Sequence, residues 1–269
     1  MGSKPPKHWL ELIHVLRAMR KSVHAPVDTM GCECIPAHIT DPVERRFQIL
    51  VSLMMSSQTK DTITSATMDR LRRELPDGLN VHSIRRVEPS RLDELIRAVG
   101  FHNRKTIYIK KAAEMIHAEY HDEIPATLSD LIRLPGVGPK MAHLCLQAAW
   151  NDVQGIGVDT HVHRIAALWK WTKDAASPEQ TRMQLESWLP KAYWRELNVL
   201  MVGLGQVVCL PRGRNCAVCK LSNGLCPSAH LSSSTKRKLK TQAVVDIEDN
   251  VLGEASVELP KHNLPVNRK

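Results

Sequence analysis

Leu134-Pro135-Gly136-Val137-Gly138-Pro139-Lys140-Met141-Ala142 reads as the end of one helix, a glycine-bearing turn and the start of a second helix. Two glycines two positions apart allow a tight reversal and leave backbone N–H groups bare. Bare N–H groups ahead of a helix N-terminus form an anion site, and a nucleic-acid phosphate suits it. Lys140 is the first basic side chain of the new helix. It either touches a phosphate or does covalent chemistry, and the hairpin alone does not choose between these.

Working outward, Pro125-Ala126-Thr127 leads into a short helix over 128–133, and the helix from Pro139 continues to about Trp150. A basic helix covers 101–120. After a loop over 151–157, Val158-Asp159-Thr160-His161 opens a helix through Trp169. Further helices are expected over 178–189 and 193–207, the last ending in Gly203 and Gly205. Upstream, Asp41-Pro42-Val43-Glu44 combines a cap residue, Pro at the first helical position and Glu three after the cap. Phe47 to Met55 follows as a nearly all-apolar run, expected at the centre of a core. Polarity returns at Ser56-Ser57-Gln58-Thr59-Lys60-Asp61, where Thr59 or Asp61 is expected to cap a helix over 62–75. Two short helices divide at Glu88-Pro89-Ser90, and 23–40 reads as a connecting loop. No β-branched run alternates for more than four residues. The expectation is an all-α chain.

The chain has 269 residues, enough for one large domain or two modest ones, and a net charge of +9. A basic excess implies an acidic partner. Aromatic residues are only 4%, with six Trp against two Phe, which argues against a platform that stacks many single-stranded bases. No apolar run reaches membrane-span length. Residues 1–22 form a basic amphipathic segment whose only acid is Glu11. It reads as a docking helix, with a mitochondrial transit peptide as the alternative. From 231 the composition turns to serine, lysine and mixed charge, and Lys236-Arg237-Lys238-Leu239-Lys240 suits a nuclear-localisation patch, an electrostatic arm or a plain solvated tail.

The seven cysteines do not suit a secreted disulfide framework. Cys209, Cys216, Cys219 and Cys226, with gaps of six, two and six, can close around one centre. Zinc and a cubane iron–sulfur cluster both take four thiolates; helical rather than ribbon flanks favour iron–sulfur. Between the first two cysteines, Arg212 and Arg214 are placed to grip phosphates. Asp159 lies nineteen residues after Lys140, so two helix N-termini can face one pocket. Its carboxylate reads both as a helix cap and as a group that moves protons and stabilises a cationic sugar. A neutral Lys140 amine could attack a nucleoside sugar carbon, with Leu134, Val137 and Met141 as apolar walls. His161 and His163 point to different helix faces, and Cys32-Glu33-Cys34 has poor ligand spacing.

Together these motifs resemble the endonuclease III family of DNA repair glycosylases, over about residues 8–230. Leu134–Lys140 resembles the family hairpin with its lysine, Val158–Val162 its aspartate segment, Ser57-Gln58-Thr59 the loop whose glutamine fills the gap left by a flipped base, and Cys209–Cys226 its [4Fe–4S] motif. The resemblance implies an all-α fold of two helical domains flanking a DNA cleft. A six-helix barrel domain over 41–154 would hold the helix-hairpin-helix; residues 1–40 would pack with a cluster domain over 155–230; a tail would cover 231–269.

The resemblance also implies base-excision repair of oxidised pyrimidines in double-stranded DNA. Lys140 and Asp159 would be catalytic, Gln58, Gly136, Gly138, Arg212 and Arg214 would contact DNA, and the enzyme would cleave the strand by β-elimination through a lysine Schiff base. A monomer in the nucleus, also in the mitochondrion, is expected. The alternatives are a monofunctional adenine-mispair glycosylase, which typically lacks the lysine, and a non-catalytic DNA-binding module. Two departures stand out: one extra residue before Cys226, and one between the lysine and the aspartate.

Overall fold

The structure is a computed structural model, and it describes residues 4–230. The serine- and lysine-rich segment from 231 lies outside the described residues. Twelve α-helices and no strand occur among them: α1 Trp9–Ser22, α2 Pro26–Met30, α3 Pro42–Ser56, α4 Asp61–Glu74, α5 Val81–Arg86, α6 Pro89–Leu95, α7 His102–Tyr120, α8 Leu128–Arg133, α9 Pro139–Trp150, α10 Thr160–Leu168, α11 Pro178–Glu186 and α12 Trp194–Val207.

Local chemistry sets most of these boundaries. The Asp41 carboxylate accepts from the Glu44 N–H at 2.8 Å, with Pro42 at the first helical position of α3. Asn80, Thr127, Asp159 and Ser177 cap α5, α8, α10 and α11 in the same way. Each satisfies an amide that the first helical turn leaves without a partner.

Two hydrophobic cores share one compact unit, which among the described residues runs to Ala229. The first is built on α3, whose residues from Phe47 to Met55 are all buried, and which packs against α9, α4 and α7. Leu50 is fully buried there, so Leu50→Ala would cost about 2–5 kcal/mol. The second core joins Leu12, Ile13, Leu16 and Met19 of α1 to α10, α11 and α12. The amphipathic N-terminal segment is thus a docked helix of the fold. The tryptophans have a structural use as well. Trp169, Trp171 and Trp188 are buried in the second core, and Trp9 and Trp194 pack against it.

Polar ties connect the cores. Gln206 of α12 accepts from the Val27 N–H at 3.1 Å and donates to Asp61 of α4 at 2.7 Å.

Three local expectations change. The 23–40 segment contains α2, with Pro26 at its first position and the Asp28 carboxylate accepting the Ala25 N–H at 2.8 Å. Neither Thr59 nor Asp61 caps α4; Lys60 holds that position without a side-chain bond. Gly203 and Gly205 do not end α12. They lie inside it, where the Arg20 guanidinium and the His161 imidazole rest against its backbone.

Candidate active site and cysteine centre

The hairpin is set by α8 and α9. Leu134 and Val137 are buried, and the Val137 N–H donates to the Leu134 carbonyl at 3.1 Å. Gly136 has φ +84°, and a Cβ there would lie 2.8 Å from Tyr108 of α7. Both facts require glycine. Gly138 differs: its φ is −99°, and a Cβ there would meet no atom within 4 Å. The second glycine therefore leaves open space in front of α9, whose first amides have no intrahelical acceptor. Bare amides at a helix N-terminus are a general site for anions.

Lys140 and Asp159 line one cavity of about 260 Å³. Lys140 is exposed and Asp159 half-buried. Asp159 Oδ1 accepts the Val162 N–H at 2.8 Å, so the capping bond is made and the carboxylate still reaches the cavity. The walls differ from the sequence expectation. Leu134 and Val137 belong to the core beneath, and Met141 packs against it. The apolar lining comes instead from Leu53, Leu144, Val202 and Cys32. Burial pushes the Cys32 thiol up, while the Ser52 and Ser56 hydroxyls and the nearby Lys140 charge pull it down. Cys32 is therefore a wall of this site, a role its sequence spacing does not signal.

Gln58 and Gly136 meet in a second hollow of about 200 Å³, together with Phe101 and Arg104. Gln58 is exposed with φ 53°. Phe101 has φ 57° and is 58% exposed. Two non-glycine residues in the left-handed region at one rim are unusual. The C-terminus of α3 separates the hollows: Ser56 lines the first and Ser57 the second. Phe101 is not apparent from sequence, because a lone Phe at a helix start looks like any core residue.

Cys209, Cys216, Cys219 and Cys226 line a third pocket, with Leu168, Leu204 and Leu221. No three of their sulfurs lie within 4.8 Å of one another among the described residues. A single tetrahedral zinc, at about 2.3 Å from each sulfur, needs sulfurs about 3.8 Å apart. Arg164 of α10 donates to Cys209 Sγ at 3.6 Å and to the Cys209 carbonyl. Burial pushes the Cys219 and Cys226 thiols up, and the neighbouring cysteines add to that. A cation bound between the sulfurs would reverse both effects. Arg212 is exposed. Arg214 turns inward, lining this pocket and donating to the Ser228 carbonyl at 3.3 Å.

Among the described residues a trio of potential ligands, His82, His117 and Asp122, does lie close together at the surface. Both imidazoles pair with the Asp122 carboxylate, at 3.5 and 2.8 Å, which accounts for their proximity without an ion.

Helices, hairpin, lysine and aspartate together define a class of DNA-repair protein. Residues 51–191 match the model of the HhH-GPD superfamily of base excision DNA repair proteins, and the chain belongs to that family. Within it, the chain is 50% identical to the endonuclease III homolog of Schizosaccharomyces pombe over 242 residues, covering 88% of this chain and 68% of that one. It is 48% identical to endonuclease III-like protein 1 of Bos taurus, covering 83% and 72%. Relatives also include an Arabidopsis thaliana homolog named as chloroplastic, 45% identical over 88% of this chain and 63% of that one. Among solved structures, a trapped covalent endonuclease III–DNA intermediate aligns with a TM-score of 0.68 at 25% identity, covering 82% of this chain and 96% of that one. No described helix is long and apolar enough to cross a membrane.

Proposed function

We infer that the chain is a bifunctional DNA glycosylase and abasic-site lyase of base excision repair, removing oxidised pyrimidines from double-stranded DNA. The observation that carries this reading is the convergence of Lys140 and Asp159 on one cavity beside the glycine hairpin. Phosphates of the bound strand meet the open face of Gly138 and the α9 amides, and Arg212 adds a contact from the cysteine loop. A damaged nucleotide leaves the stack at lower cost than an intact one, and Gln58, with Phe101 beside it, occupies the vacated space.

Lys140 Nζ then attacks C1′ of the flipped nucleotide as a neutral amine. The C1′–N bond breaks, and the base leaves with its electron pair and takes up a proton. The nitrogen gives up one proton, the C1′–O4′ bond breaks with O4′ taking up a proton, and a protonated Schiff base forms. Removal of a C2′ proton expels the 3′ phosphate, and water releases the amine. Asp159 is placed to stabilise the cationic sugar and to shuttle protons.

The convergence of Cys209, Cys216, Cys219 and Cys226 on one pocket supports them as holders of a [4Fe–4S] cluster, which would brace this loop when bound. The second core, which joins α1 to α10, α11 and α12, supports a domain of the N-terminal helix with 155–230 beside a barrel domain over 41–154; Ile35, from the expected 1–40 segment, packs in the first core instead. A nuclear monomer, also in mitochondria, completes the proposal.

Borohydride trapping tests it. The wild-type protein should form a covalent adduct with duplex carrying an oxidised pyrimidine, and Lys140→Gln should not. A Lys140→Gln protein that traps as well as wild type removes the nucleophile assignment.

A further inference from the structure

Lys105 of α7 has no part in the chemistry above, yet it is only 6% exposed. Its Nζ donates to the Met55 carbonyl at 2.7 Å, the Ser57 carbonyl at 2.6 Å and Thr59 Oγ1 at 3.3 Å. An ammonium has three donors and no acceptor, so three oxygens match it fully. Two of the three are carbonyls at the C-terminal end of α3, where the helix has no further N–H groups to offer and its dipole is negative. Burying a lysine away from water is costly unless such groups replace the water. Residues 55–59 surround Gln58, whose φ of 53° is a conformation that non-glycine residues hold only when neighbours enforce it.

The same knot reaches the second rim residue. Thr59 Oγ1 accepts the Gly100 N–H at 3.1 Å and donates to the Ser57 carbonyl at 3.2 Å. A Cβ on Gly100 would lie 2.6 Å from the Gln58 carbonyl, so the 99–101 turn is seated directly on the Gln58 loop. Phe101 follows at once, in the left-handed region. Lys105 therefore sits beneath both rim residues and ties their turns to one helix.

We propose that Lys105 is a positioning residue that pre-shapes the Gln58 and Phe101 turns for entry into the duplex. The proposal rests on the gap-filling reading of Gln58. The duplex, and not the Schiff-base chemistry, is what Lys105 serves. A single strand has no partner base to keep apart and no stacked gap to fill, so its cleavage does not need the rim.

The test uses the metal-loaded full chain and one abasic site presented in duplex and in single-stranded DNA. Lys105→Met should lower duplex cleavage at least about tenfold while single-strand cleavage stays within about twofold, the loss expected when a positioned group is misplaced. Lys105→Arg should restore much of the duplex rate. Thr59→Val, which removes only the hydroxyl of the knot, should give a smaller loss of the same selectivity, and it keeps the test open if Lys105→Met fails to fold. Parallel loss on both substrates, or an unchanged duplex rate in both variants, overturns the proposal. Lys140→Gln, run alongside, should lose both substrates. Retained cleavage there would count against the nucleophile, a result separate from the duplex-to-single-strand ratio read for Lys105.

Discussion

A Cβ placed on Gly157 would lie 2.4 Å from Cδ2 of Leu144. Leu144 is one helical turn beyond Lys140 on α9, and Gly157 is two residues before Asp159. Asn198 of α12 donates to the Gly157 carbonyl and holds this loop segment against the leucine. This contact fixes how closely the segment carrying Asp159 lies against the helix carrying Lys140.

Gly157→Ala should therefore push the Asp159 segment off α9. Overpacking of this kind costs about 1–3 kcal/mol, and the displaced carboxylate should slow strand cleavage by about a hundredfold. Combining it with Leu144→Ala should return activity toward wild type. Single-turnover rates for the two single variants and the double variant check the coupling; additive losses would mean the contact does not align the site.

Substitution can separate the helix cap that Asp159 makes from the catalytic role proposed for it. Asn caps a helix about as well as Asp, whereas Ala costs about 1 kcal/mol. Asp159→Asn should melt like wild type and Asp159→Ala somewhat lower, while both lose about a hundredfold or more in base excision. An active Asp159→Asn would leave capping as the whole of its role.

The two arginines of the cysteine loop should behave differently. Arg212→Ala should weaken duplex binding and reduce the slope of log affinity against log salt by about one charge. Arg214→Ala should lose its bond to the Ser228 carbonyl and loosen the cysteine pocket, seen as faster metal loss on chelation. Identical salt slopes for wild type and Arg212→Ala would remove this side chain from the interface.

The cysteine centre predicts its metal. Purified protein should hold iron and acid-labile sulfide in equal amounts and absorb near the visible blue, and Cys219→Ser should lose both. Zinc alone on elemental analysis would reassign the site.

Lys105 predicts a pH dependence of stability. Burial lowers its ammonium to about 8, against an ordinary value of about 10.4. The unfolded chain then binds more protons than the folded one between these values, so this group's contribution rises with pH across that window and is flat below it. The ceiling is about 3 kcal/mol. The melting-temperature gap between wild type and Lys105→Met should widen in favour of wild type from pH 7.5 to 9.5. A gap that narrows would reverse the sign.

The sequence by itself determined what depends on neighbours along the chain. Asp41 and Asp159 begin helices because a carboxylate three residues before an amide reaches it without help. Pro42, Pro89 and Pro139 open helices because proline needs no amide partner there. The apolar run from Phe47 to Met55 had to be buried wherever the fold placed it, and the hairpin with its lysine marked the family. Tertiary structure decided the rest. Cys32 became a wall of the Lys140 cavity, and α2 arose in a segment whose Pro and Gly suggested only a loop. Arg214 turned toward Ser228 while Arg212 stayed outside, although both sit on the same short loop. Lys105 looked like one more cation on a basic helix until Met55, Ser57 and Thr59 closed around it. Caps and turns are bonds across three or four residues, written in local spacing. The partners of Lys105 lie 46 to 50 residues away, and only the packing of α3 against α7 brings them within reach.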